Sequence, residues 1–174
     1  MSTYKIDAAH SDITFKVKHM MITNVSGSFT KFDATMESST ADFSDAKISF
    51  EADTSSISTH NEQRDEHLKS DLFFAAEKFP TISFTSGSLV KKEEGVYILT
   101  GDLTIRDVTK SVTLDVEYGG TMTDPYGRIK SGFEINGKIN RQEFGLTWGA
   151  LTEAGGVVVG DEVKLHANVQ MIKQ

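Results

Sequence analysis

The sequence predicts an all-β protein built from one antiparallel sheet that closes on itself. Three observations carry that expectation. Apolar and polar residues alternate with period two along most of the chain, short turn-like stretches separate the alternating runs, and the rhythm fails in one region, between Ser58 and Pro80. Period two puts alternate side chains on opposite faces of a strand, so each run has an apolar face and a wet one. With 174 residues and 38% hydrophobic content, the chain is expected to form one domain, residues 1–174, with a substantial core.

The elements follow in chain order. A strand pattern begins almost at the first residue, in Ser2-Thr3-Tyr4-Lys5-Ile6. Ile13, Phe15 and Val17 share a face against Thr14, Lys16 and Lys18, and His19 ends the apolar row before a turn from Met20 to Asn24. Val25, Gly27 and Phe29 then fall on odd positions, but Phe32, Ala34 and Met36 on even ones. One extra residue near Thr30-Lys31 reconciles the two halves, which is what a β-bulge does where a sheet curves. Ile48, Phe50 and Ala52 form the next apolar row, and Ile82 and Phe84 open a strand toward Val90. Leu99, Gly101, Leu103 and Ile105 follow, then Val112, Leu114, Val116 and Tyr118, then Ile129, Phe133, Ile135 and Ile139 after the Asp124-Pro125-Tyr126-Gly127 turn. Val163, Leu165, Ala167, Val169 and Met171 close the series. About eight or nine strands with short connections is the pattern of an up-and-down barrel.

The interruption reads as a short helical insert around residues 60–76. Asn61 to Lys69 is polar and free of glycine and β-branched residues, with Asn61 or Thr59 placed to cap it. Ser70 or Asp71 is placed to start a second short turn through Leu72-Phe73-Phe74-Ala75-Ala76.

Composition excludes several functions. A net charge of −7 speaks against a general nucleic-acid binder or a partner of anionic membranes, and no run of Lys or Arg offsets it. The absence of cysteine removes disulfides, zinc thiolate sites and a cysteine nucleophile. No run reaches the roughly 18–20 apolar residues of a membrane span, so stable membrane insertion is not expected. The first residues lack the basic start and apolar stretch of a secretory signal, so a cytoplasmic location is expected.

Eight closed strands leave an interior that side chains just fill or that holds one small ligand. Large inward residues (Phe15, Phe29, Phe50, Phe84, Phe133) favour filling, while Gly101, Gly137 and Ala167 favour room.

Several motifs carry a resemblance that spans nearly the whole chain. They are Asp7-Ala8-Ala9-His10-Ser11, Lys18-His19-Met20-Met21 with Val25-Ser26-Gly27-Ser28-Phe29, and Arg64-Asp65-Glu66-His67-Leu68-Lys69-Ser70-Asp71-Leu72-Phe73-Phe74 running on to Phe79-Pro80. Gly101-Asp102-Leu103-Thr104-Ile105-Arg106, Val108-Thr109-Lys110, Asn140-Arg141-Gln142-Glu143-Phe144-Gly145-Leu146 and Gly160-Asp161-Glu162-Val163 complete the set. Together they resemble the YceI-like polyisoprenoid-binding family. Tyr4 stands where that family usually has Trp, Ser111 replaces a frequent Pro, and Asp107 stands where a turn Gly is common. The resemblance implies an extended antiparallel eight-stranded lipocalin-like barrel with a helical insert, a long apolar interior for a polyisoprenoid or similar lipid such as a quinone precursor, and often a homodimer. Many relatives are periplasmic.

Candidate lining residues are Phe15, Val17, Phe29, Phe50, Phe84, Leu103, Ile105, Leu114, Phe133, Ile135 and Val169. An acidic head group would want basic donors at the mouth, for which the candidates are His19, Arg64, His67 and Arg141. Their structural alternatives are that Arg64 pairs with Asp65 or Glu66 and that Arg141 braces a turn. Non-enzymatic lipid binding, storage or transport is the leading expectation, with no cofactor beyond the lipid, no metal, and no nucleic-acid partner. A second reading is catalysis or metal binding by His10, His19, Asp65 and His67, whose spacing fits no metal or nucleophile motif. A third is a protein-interaction module with a filled barrel.

Overall fold

Eight strands close into an antiparallel barrel, and the first three of them are kinked into two segments each. The structure is a computed structural model that describes residues 1–149 and 159–174. Its elements are β1 (Ser2–Ile6), β2 (Asp12–His19), β3 (Thr23–Phe29), β4 (Phe32–Ser38), β5 (Lys47–Asp53), β6 (Ile57–Ser58), α1 (Glu62–Lys69), β7 (Thr81–Glu93), β8 (Val96–Ile105), β9 (Val108–Thr123), β10 (Ile129–Asn140) and β11 (Val159–Lys173). The closed ring runs β1-β4-β5-β7-β8-β9-β10-β11 and back to β1. At the other end, β2 takes over from β1 beside β11, and β3 and β6 continue β4 and β5.

The kinks are pinned by hydrogen bonds. Asp7 N donates to Gln170 O at 2.8 Å and Gln170 N donates to Ser11 Oγ at 3.0 Å, so β11 holds both sides of the β1–β2 break. The phase change expected at Thr30-Lys31 is present as a two-residue break between β3 and β4 rather than a bulge within one strand: Thr30 N donates to Ser56 O at 3.2 Å and Asp53 N to Lys31 O at 2.9 Å. The phase change from Phe29 to Phe32 therefore keeps both rows inside.

One end of the barrel is plugged. Phe43, 3% exposed, enters from the β4–β5 loop and meets Tyr4, Tyr118 and Phe133 with ring centroids 5.4–5.6 Å apart. Tyr97 Oη donates to Asp42 O at 2.6 Å and holds that loop down. Edge-to-face packing of this kind adds to the simple burial of the rings.

The insert crosses the other end. Asn61 caps α1 by accepting from Arg64 N at 3.0 Å. Ser70 ends the helix, its hydroxyl donating to His67 O at 2.5 Å. The second segment is a series of turns rather than a helix, with Phe73 and Ala75 buried beneath it. Arg106 fastens it: Nη1 donates to Phe73 O at 3.1 Å and Gly145 O at 3.2 Å, and the guanidinium lies over the Phe79 ring. In the β8–β9 turn the residue with positive φ is Arg106 (56°), so Asp107, where a turn Gly is common, does not carry the left-handed geometry.

The small interior residues act differently from expectation. A Cβ at Gly101 would collide with the Phe84 ring and Thr85 O, and one at Gly137 with the Leu114 side chain. These glycines seat a neighbour's large side chain rather than leave space. Gly27 does the same for Phe15, its cross-strand partner.

Candidate functional site: a one-ended apolar cavity

Filling is nonetheless incomplete. A cavity of about 410 Å³ runs inside the barrel, within the roughly 300–1,000 Å³ usual for small-molecule sites. All eleven expected lining residues border it: Phe15, Val17, Phe29, Phe50, Phe84, Leu103, Ile105, Leu114, Phe133, Ile135 and Val169. Each sits on the inward phase of its strand, and cross-strand pairs such as Phe50↔Phe84, Phe84↔Leu103 and Phe133↔Val169 line up in register. Phe133 also belongs to the aromatic plug, so it forms the floor.

The polar residues gather at the opposite end. His19, Arg64, His67 and Arg141 all border the cavity, beside Lys18 and Thr59. Their hydrogen bonds separate them into two kinds. Arg141, 4% exposed, spends its guanidinium on backbone: Nε donates to Gly160 O (2.8 Å), Nη1 to Leu146 O (2.5 Å) and Trp148 O (2.7 Å), and Nη2 to Val159 O (3.2 Å). Burial pulls its pKa down, and Asp161, 3.7 Å away, partly opposes that. Arg141 is thus a brace between the β10 end and the start of β11, and the expectation of a head-group donor is corrected for this residue.

Arg64 departs from the expected pairing with Asp65 or Glu66. Its Nε donates to Thr59 Oγ1 at 2.8 Å and its Nη2 to Thr59 O at 2.9 Å, while Thr59 Oγ1 donates to Asp65 at 2.6 Å. A relay through Thr59 holds the guanidinium at the cavity wall with Nη1 unpaired among the described residues. His67 lies edge-on to Phe73 and Trp148, with centroids 5.1 and 5.0 Å apart. Phe74 meets Phe29 edge-on, which joins the insert to the barrel core.

The residues named for catalysis do not all converge. His10 accepts or donates a 2.8 Å hydrogen bond with Asp7 at the β1–β2 kink and does not border the cavity that His19 and His67 share. Asp65 is turned to Thr59 N and Oγ1. Among the described residues no group of three or more His, Asp or Glu is placed to hold a metal ion.

The YceI-like domain family matches residues 4–171. The chain belongs to this family. A UPF0312 protein from Staphylococcus aureus (strain USA300) is 38% identical over 171 residues, covering 98% of this chain and 97% of that protein. The YceI protein of Campylobacter jejuni has a similar structure (TM-score 0.78, 34% identity, 97% of this chain and 96% of that one). BcnA of Burkholderia cenocepacia shares the fold at TM-score 0.83 and 22% identity, covering 95% and 98% of the two chains. A polyisoprenoid-binding domain from Saccharophagus degradans shares it at TM-score 0.68 and 16% identity, covering 98% of each.

Within this YceI-like barrel, the sequence reading missed the wall that the insert supplies. Leu68, Phe73, Phe74 and Trp148 border the cavity. Trp148 is the single tryptophan of the chain, which was the one available signal. It falls outside any alternating run, so periodicity assigns it nothing.

Proposed function

We propose that this protein binds an isoprenoid-type or similar amphiphilic lipid, such as a quinone precursor, and stores or carries it without chemical change. The apolar chain lies in the tube and the polar end meets Arg64, His67 and His19. The observation that carries this reading is the cavity itself: a space of about 410 Å³ walled by aromatic and aliphatic side chains, with Phe133 of the aromatic plug on one side and polar groups on the other. Each methylene-sized unit transferred there contributes roughly 0.8 kcal/mol before ordering costs, so a chain of several units binds with few polar contacts. The polyisoprenoid-binding domain that shares the fold supports the ligand class. The open interior disfavours the filled-barrel reading, and the separation of His10 from His19 and His67 disfavours catalysis.

The test is native mass spectrometry of protein taken directly from its host, followed by organic extraction and by titration with a polyprenyl compound. The expected result is a bound mass that extraction removes and the added compound restores. Protein that carries no lipid and takes up none would overturn the reading.

A further inference from the structure

The β2–β3 hairpin breaks two rules at its tip. Met20, Met21 and Ile22 are three consecutive apolar residues, 46%, 61% and 78% exposed. Met20 and Met21 also both have positive φ, 52° and 64°, a tight turn that Asn-Gly adopts far more easily than two methionines. Turn geometry therefore does not explain the residues found there. The strands on either side of the tip lead directly to the cavity: Val17, Lys18, His19 and Val25 all border it at its polar end.

A second feature lies on the outer face of β2 and of its neighbours β11 and β10. Lys138 on β10, Lys164 on β11 and Lys16 on β2 stand directly opposite one another across neighbouring strands, and Lys18, two residues on toward the tip, reaches the cavity's polar end. Like charges in register are unfavourable within a sheet. Only Lys138 has an acidic partner among the described residues, Glu162 at 3.7 Å. The chain is acidic overall and contains no basic run, so the fold alone assembles this patch.

We propose that the β2–β3 tip and the lysine row form a peripheral docking surface for a bilayer that contains anionic lipid. The apolar tip enters the interface, the lysines meet the head groups, and the cavity's polar end is set against the membrane, so that a lipid passes between bilayer and barrel with little exposure to water. This rests on the lipid-binding reading above and adds the partner. Among the described residues no helix is long and apolar enough to cross a membrane.

The test is flotation with phosphatidylcholine vesicles, with and without phosphatidylglycerol, together with uptake of a polyprenyl compound from vesicles and from detergent micelles. The decisive variant replaces Met20→Asn, Met21→Gly and Ile22→Thr, which suits the turn and so preserves the fold. Wild-type protein is expected to float with phosphatidylglycerol vesicles and less so in high salt. The triple variant is expected to bind at least about tenfold more weakly and to take up lipid more slowly from vesicles, with micelle uptake unchanged. Lys16→Glu with Lys164→Glu is expected to remove the preference for phosphatidylglycerol. Wild-type protein that floats with neither vesicle, or a triple variant that floats and loads like wild type, would overturn the docking surface. A triple variant whose only change is a loss of self-association would also overturn it, assigning the tip to a second copy. Loss of micelle uptake by the wild type would instead overturn the lipid-binding reading.

Discussion

Arg141→Lys separates a brace from a ligand donor, because it keeps the charge and loses the fork. The arginine makes four charge-assisted hydrogen bonds to the carbonyls of Leu146, Trp148, Val159 and Gly160. Bonds to a charged group contribute roughly 1.5–3 kcal/mol each, but desolvating the guanidinium offsets much of the total. Lysine is a point donor on a flexible stem and reaches one or two of those carbonyls, leaving the others buried without a partner. The expected loss is about 3–5 kcal/mol, or roughly 6–20 °C in midpoint for a chain of this length. Urea and thermal unfolding of the lipid-free protein measure it, with a parallel lipid titration of the folded fraction. A variant within about 1 kcal/mol of wild type in stability that nonetheless loses lipid affinity would refute the brace and return Arg141 to the head-group set.

Two further predictions follow from the same geometry. Ala167→Phe places a ring against Ile13 and Ile135, its cross-strand partners at the cavity wall, and is expected to abolish uptake of a polyprenyl compound with little change in unfolding midpoint; retained uptake would show that the chain does not run past this point. Asp7 is held at about 2, below its ordinary 3.8, chiefly by the hydrogen bond from Lys130 at 2.7 Å and then by His10. A lowered carboxylate pKa stabilises the fold above pH 4, and that contribution, about 2 kcal/mol, drains away as pH falls from about 4 through 2. Asp7→Asn is therefore expected to be less stable at pH 7 and to lose less on acidification, and parallel pH–stability curves for the two proteins would contradict this.

The barrel was legible because the signal for it is local and repeated. Each inward residue announces itself by its phase, and the odd-to-even change between Phe29 and Phe32 even located a kink that the structure then ties to Ser56 and Asp53. The lining set was readable for the same reason: position on the inner face is a matter of counting by two. Three things lay beyond that arithmetic. Whether a glycine opens space or receives a neighbour depends on which ring points at it, as Gly101 and Phe84 show. Whether an arginine faces ligand or backbone depends on which carbonyls the fold gathers around it. Arg64 and Arg141 both border the cavity, yet only the second is wholly consumed by backbone, by the Leu146 and Trp148 carbonyls just after β10 and the Val159 and Gly160 carbonyls that β11 brings back to it. And a row of charges that crosses strands leaves no run in the sequence.

The two ends of the barrel differ in a way that bears on how a guest enters. The plugged end is closed by contacts among four aromatic rings, with Tyr97 tying down the loop that carries Phe43. Opening it would forfeit edge-to-face packing and buried area together. The other end is closed by an eight-residue helix with no buried residue, turns behind it, and contacts made through Arg106, Phe74 and the His67–Phe73–Trp148 group. A segment held by few buried contacts opens at lower free energy than the sheet it covers. Among the described residues, the insert is therefore the part of the wall that opens at lower free energy than the strands. At this end stand Arg64, whose Nη1 is unpaired among the described residues, with Lys18 and His19, and the exposed Met20-Met21-Ile22 tip follows directly on those last two. Polar rim and apolar tip thus share the β2–β3 hairpin, while Arg64 and His67 come to the same end from the insert.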